Sequence, residues 1–136
     1  MTVKQLTIFL ENRTGRINEV AKILGAAEIN MKAFSMAETA DFGLLRLIVP
    51  EVDKAEQVLR EANFAVKLTD VVCINVPNVP GALSRILETL ASNDIFIEYM
   101  YAFSEDDTAN VVIRPNNIDA CVRVLQSCNC TLIQTV

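Results

Sequence analysis

The sequence predicts an α+β fold written twice: two β-α-β-β-α-β units in tandem, residues 1–69 and 70–136, each an antiparallel sheet with two helices on one face. Three observations predict it. The chain repeats itself at an offset of 66 residues. Its apolar periodicity switches between strand and helix spacing in the same order in each half. Turn residues fall at matching places. Ile8 aligns with Ile74, Asn12 with Asn78, Gly15 with Gly81, Asp53 with Asp119, Val58 with Val124, Leu59 with Leu125, Asn63 with Asn129 and Thr69 with Thr135. Pro50 matches Pro115 at an offset of 65, so one residue is lost in the intervening hairpin.

Taken in order, the first strand places Leu6, Ile8 and Leu10 on one face, as Val72, Ile74 and Val76 do in the second unit. A glycine-bearing loop follows. A helix is expected over residues 15–26, with Ile17, Val20, Ala21 and Leu24 on its buried stripe; its counterpart carries Leu83, Ile86, Leu87 and Leu90. Two strands come next, residues 30–37 and 44–49, joined by a polar turn at 41–43. In the second unit they cover 96–103 and 110–114, joined through 105–108. Pro50 and Pro115 stop the later strand of each hairpin, because proline has no N–H to donate. Asp53 is the expected N-cap of the second helix, with Ala55, Val58, Leu59 and Ala62 inward. Its counterpart starts near Asp119, with Val122 and Leu125 inward. A last strand, 65–69 or 131–135, closes each unit. This is the ferredoxin-like plan in duplicate. No linker separates the halves, since Thr69–Asp70 runs directly on, and edge-to-edge pairing is the expected way to satisfy open strand edges.

Composition narrows the function. Hydrophobic residues make up 51% of the 136, enough for a packed core. Twelve Lys and Arg against 17 Asp and Glu give a net charge of -5, which argues against nucleic acid and an anionic membrane as partners. The halves differ: residues 1–69 are neutral, and 70–136 carry the whole excess. There is no histidine, so His bases, Ser-His and Cys-His pairs and His-ligated metals are excluded. No catalytic constellation, metal site or cofactor motif is legible. Enzyme is therefore the disfavoured class. The apolar start is too short for a signal peptide and no membrane-spanning run is present, so a cytoplasmic address is expected. Cys73, Cys121, Cys128 and Cys130 read as ordinary buried or half-buried thiols. The sharper reading is a redox or metal site at Cys128 and Cys130. The acidic run at 105–107 reads as a solvated hairpin tip.

The turn between first strand and first helix can do more than cap. It holds Asn12, Arg13, Thr14, Gly15, Arg16 and Ile17 in one unit, and Asn78, Val79, Pro80, Gly81, Ala82 and Leu83 in the other. The first N–H groups of a helix lack internal partners and favour negative charge. Glycine admits close approach, and asparagine offers a side-chain oxygen. A free amino acid needs both kinds of group. A plain capping turn, with Asn12 or Asn78 as cap, explains the same residues. Arg13 and Arg16 can grip a carboxylate, which would suit an acidic ligand; two solvated arginines are the alternative. The strand around 96–103 is apolar on both faces. Alternation puts Ile97, Tyr99, Tyr101 and Phe103 on one and Phe96, Met100 and Ala102 on the other, fitting a domain or dimer contact, or a pocket wall.

The repeated unit, with Asn78-Val79-Pro80-Gly81-Ala82-Leu83 after its first strand, resembles the ACT domain across the whole chain. Residues 28–31 and 94–97 resemble that family's approach to the second strand. The first loop departs from the pattern, with Thr14 in place of proline. The resemblance implies a regulatory module binding a free amino acid or similar small molecule where paired ACT units meet. The contacts it implies are the two loops together with Asn30, Met31, Phe96 and Ile97 of an adjoining unit. It further implies a homodimer and a separately encoded metabolic enzyme as the regulated partner. The rival reading is a structural or protein-interaction module that regulates a partner without binding a ligand.

Overall fold

The computed structural model describes residues 2–39 and 41–134. Its elements are β1 (Val3–Glu11), α1 (Arg16–Ala26), β2 (Ala33–Glu38), β3 (Phe42–Ile48), α2 (Val52–Glu61), β4 (Ala65–Pro77), α3 (Ala82–Ser92), β5 (Ile97–Glu105), β6 (Thr108–Pro115), α4 (Ile118–Ser127) and β7 (Thr131–Ile133). The chain divides into two compact units, Lys4–Thr69 and the stretch from Asp70 onward, with Val3 grouped with the latter.

In the first unit the strand order is β2-β3-β1-β4. Leu6 lies opposite Leu47 and Ile8 opposite Leu45, in antiparallel register. Side chains alternate across a strand, so these four share one face. Val20 and Leu24 from α1 and Ala55 and Leu59 from α2 pack onto it, forming a core completed by Leu10, Ile29, Val49, Phe64 and Val66. The second unit repeats this with Val72, Ile74 and Val76 on β4 and Val111 and Ile113 on β6, beneath Leu90, Cys121 and Leu125. There β4 pairs with β6 on one side and β7 on the other, and β5 pairs with β6.

All four helices end alike. Glu28, Asn63, Asp94 and Asn129 adopt positive φ, between 58° and 67°. The following residues, Ile29, Phe64, Ile95 and Cys130, donate their N–H groups to Leu24, Leu59, Leu90 and Leu125 at 2.9, 3.0, 3.0 and 3.1 Å. This is the Schellman arrangement: a left-handed residue reverses the chain, and an apolar one folds back onto the last turn. It recurs at the same 66-residue offset as the sequence repeat.

Several expectations are corrected. Among the described residues the expected eight strands become seven, because the last strand of the first unit runs unbroken into the first strand of the second as β4; nothing at Thr69–Asp70 breaks an extended chain. Strands β2 and β5 start at Ala33 and Ile97, later than expected. Phe42 and Gly43 belong to β3 rather than to a turn; Thr39 closes the hairpin, its hydroxyl donating to the Phe42 carbonyl at 2.7 Å. The last strand ends at Ile133, and Thr135 lies outside the described residues. Asp53 and Asp119 sit in the first turns of their helices and are not N-caps. Glu51 precedes α2 without a side-chain cap, whereas Asn117 caps α4 by accepting from the Ala120 N–H at 3.0 Å. The residue lost in the second hairpin is regained between Pro115 and Asp119, the stretch that supplies this cap. Ile17, Ala21 and Ala62 are exposed, not buried. Finally, a bulge between Ile97 and Tyr99 breaks the alternation of β5. Ile97 therefore packs on the helix-covered core. Tyr101 lies opposite Val112 and so faces the other way, with Tyr99 and Phe103.

Candidate functional site

Helix α1 opens on Gly15 (φ 93°, ψ -7°) and α3 on Gly81 (φ 86°, ψ -13°), neither with a side-chain cap. Asn12 and Asn78 therefore do not cap. A Cβ at either glycine would meet nothing within 4 Å. Glycine is needed for its left-handed backbone, which aims the chain from β1 or β4 into the helix axis, and not for room. In the first unit the amides of Arg16, Ile17 and Asn18 open the helix uncapped. In the second, the Ala82 N–H turns back to the Val79 carbonyl at 3.3 Å, and the Asn78 N–H donates to the Asp107 carbonyl at 3.0 Å.

The uncapped start of α1 faces a cleft of about 670 Å³. The loop from Asn12 to Ile17 forms one wall, with Asn18 and Ala21 from the helix. Leu10, Met36 and Glu38 form the other. Gly43 lies opposite both Leu10 and Glu38 in the sheet. A Cβ there would stand 2.8 Å from the Met36 Cε. Ile17, 46% exposed, faces this cleft instead of the core.

Charge in the cleft is matched rather than free. The Arg16 guanidinium stacks over the Phe64 ring at 4.2 Å and donates to the Glu19 carboxylate at 2.7 Å, with Glu11 at 3.8 Å. Its side chain is only 12% exposed, so it is not a solvated loop arginine. Arg13, well exposed, pairs with Glu11 at 3.2 Å. The cleft is lined by two carboxylates, Glu11 and Glu38, and two guanidinium groups. Arg13 pairs with Glu11 and Arg16 with Glu19, while the Arg16 Nε is buried without a hydrogen-bond partner among the described residues.

A second cleft of about 380 Å³ lies on the other side of Arg16, between Phe42 and Asn63. The residues aligned with Arg16 and Phe64 are Ala82 and Cys130. Both belong to the second core, so the stacked cation has no counterpart there. Of the second loop, Asn78, Val79, Pro80 and Gly81 are exposed, Ala82 is buried and Leu83 is half-buried against that core.

Asn30 and Met31 lie before β2, whose first residue Ala33 faces Ile48, at the end of the sheet away from Gly43 and the glycine loop. Phe96 and Ile97 sit likewise: Ile97 lies opposite Pro115, while the loop follows Pro77, opposite Thr108. Within one unit, then, strand start and loop are not brought together. Phe96 exchanges hydrogen bonds with Asn116 and leaves its ring 66% exposed. Sequence reasoning missed Leu10, Glu11, Asn18, Met36 and Glu38 as parts of the cleft, and Gly43 as the strand residue paired with two of them. A glycine inside a strand was the one available signal, since it often marks close approach.

Cys73 and Cys121 are buried, and burial pushes both thiols up to about 11. Cys130 is half-buried, but Cys128 is exposed, against expectation. Among the described residues no three His, Cys, Asp or Glu side chains cluster to hold a metal, and no helix is long and apolar enough to cross a membrane.

Two ferredoxin-like units, each starting its first helix on a left-handed glycine, define the class of protein. The chain belongs to the ACT domain pair family, whose model matches residues 1–135. It is similar to protein BT0572 from Bacteroides thetaiotaomicron, with 51% identity and a TM-score of 0.94 over 98% of this chain and 92% of that one. It shares its fold with the regulatory subunit of aspartate kinase from Thermus thermophilus, at 15% identity and a TM-score of 0.64 over 91% of each chain. The corresponding subunit from Thermus flavus matches at 13% identity and a TM-score of 0.62, over 91% of this chain and 90% of that one. No curated protein matches the chain.

Proposed function

We propose that this chain is a non-catalytic regulatory module that binds a free amino acid or a similar small zwitterion at the β1–α1 loop. The observation that carries the reading is the cleft at the uncapped start of α1. Uncapped amides and the helix dipole favour a carboxylate. Asn12 and Glu38 supply oxygens for an ammonium group, and Leu10, Ile17 and Met36 supply an apolar wall. In this reading an ACT unit of a second copy closes the open side of the cleft, bringing a strand start such as Asn30–Met31 or Phe96–Ile97 to the ligand. The regulated enzyme is a separate chain, and the working compartment is the cytoplasm. The two domains are residues 1–69 and 70–136, and whether the Gly81 loop takes a second ligand is part of the same question.

A second reading, an interaction module that binds no ligand, draws on Phe34 and Phe96, 65% and 66% exposed beside or on the outer strands. A thermal-shift screen of the twenty amino acids, followed by titration calorimetry, separates the two. Selective binding to the folded state raises the melting temperature. One or a few amino acids should do so at millimolar concentration. No shift and no heat with any of them would leave the second reading standing.

A further inference from the structure

The end of α4 places two thiols in a geometry that the regulatory reading does not use. Cys128 is the last capping residue of the helix, Asn129 the left-handed residue, and Cys130 the residue that folds back. The Cys128 thiol donates to the Leu125 carbonyl at 3.3 Å, and the Cys130 N–H donates to the same oxygen at 3.1 Å. Burial first, and the neighbouring Cys128 thiol second, push the Cys130 thiol up to about 12. A helical backbone of either hand sets residues two apart at about 5.4 Å between Cα atoms, from its radius and rise. That is inside the roughly 4.4–6.8 Å span of a disulfide. An extended residue at position 129 would hold the pair further apart.

Access is one-sided. Cys128 is exposed and lines a cleft of about 540 Å³ between α3 and α4, with Thr89, Asn93 and Arg123. Cys130 packs against the core that contains Ala82, the first residue of α3. We propose that Cys128 and Cys130 form an oxidisable dithiol, with Cys128 the sulfur attacked by a peroxide and Cys130 the resolving thiol. The Cys128 sulfur attacks hydrogen peroxide, its O–O bond breaks, and Cys128 sulfenic acid and one water are formed. The Cys130 sulfur then displaces the sulfenic hydroxyl, which leaves as a second water with the Cys130 proton. One S–S bond forms, two thiols are oxidised and one peroxide is reduced. The bond draws Cys130 from its place in the core beside α3.

Full-length protein treated with one equivalent of hydrogen peroxide, then alkylated under denaturing conditions and digested with trypsin, tests this. The peptide following Arg123 carries both cysteines. It should lose the mass of two hydrogens and take no alkyl group, while Cys73 and Cys121 alkylate fully. Dithiothreitol should restore both sites. Cys130→Ser should accumulate a dimedone-reactive sulfenic acid at Cys128, and Cys128→Ser should yield neither disulfide nor adduct. Unchanged mass in that peptide, or a disulfide between chains in its place, would overturn the proposal.

Discussion

Gly43 pairs with Leu10 and Glu38, two residues of the cleft wall, and a Cβ there meets the Met36 Cε at 2.8 Å, with the Ala37 carbonyl oxygen and the Leu10 Cβ in ordinary contact at 3.8 Å. Gly43→Val should therefore cost no more than about 1 kcal/mol of stability, since Met36 can swing away. Moving Met36 then alters the wall of the cleft. Affinity for whichever amino acid the screen identifies should fall tenfold or more, with the urea midpoint nearly unchanged. Equal affinity in calorimetry would move the ligand elsewhere. The same scale shows what sequence reading misses. Gly43 is visible as a strand glycine, but Met36 is visible only as one more apolar side chain. Their meeting depends on the register of β2 against β3.

At the scale of elements, three of the four helices begin without a side-chain cap and one begins with it. Asn117→Ala should lower stability by about 1 kcal/mol, because the Ala120 N–H loses its acceptor. Asn12→Ala, at a position that looks like a cap in the sequence, should change the urea midpoint hardly at all. Comparable losses in the two variants would contradict this assignment of caps. The helices themselves and the order of elements were legible, because periodicity and the repeat supported one another, whereas Ile17, Ala21 and Ala62 leave their expected stripes for the surface. Asp53 reads as a cap because an acidic residue in a first turn is favoured by the helix dipole whether or not it caps. The β5 bulge was invisible for a related reason. Alternation in a sequence assumes that no residue is inserted into the ladder.

For the whole molecule, the buried thiols set an alkaline limit. Cys73 and Cys121 are raised from 9.0 to about 11 by burial, which disfavours the thiolate. Their contribution is fully present below pH 9. Between pH 9 and 11 the unfolded chain releases thiol protons that the folded chain keeps, so stability falls as pH rises. The loss approaches about 2–3 kcal/mol per thiol. Urea midpoints should drop from pH 8 to pH 10.5, and a Cys73→Ala/Cys121→Ala variant should show a flatter profile. A parallel profile would assign the alkaline loss to other groups.

The sequence by itself determined the duplication, the α+β order and the two glycine turns, because core periodicity and left-handed backbone are written in local residue types. It also determined membership of the ACT domain pair family, through a motif repeated in register. Only the tertiary structure decided that Arg16 is stacked and ion-paired, that Ile17 faces a cleft, and that Met36 and Glu38 join it. Those outcomes depend on which strands become neighbours and at what offset. Such contacts are made between residues far apart in the chain, where no local pattern records them.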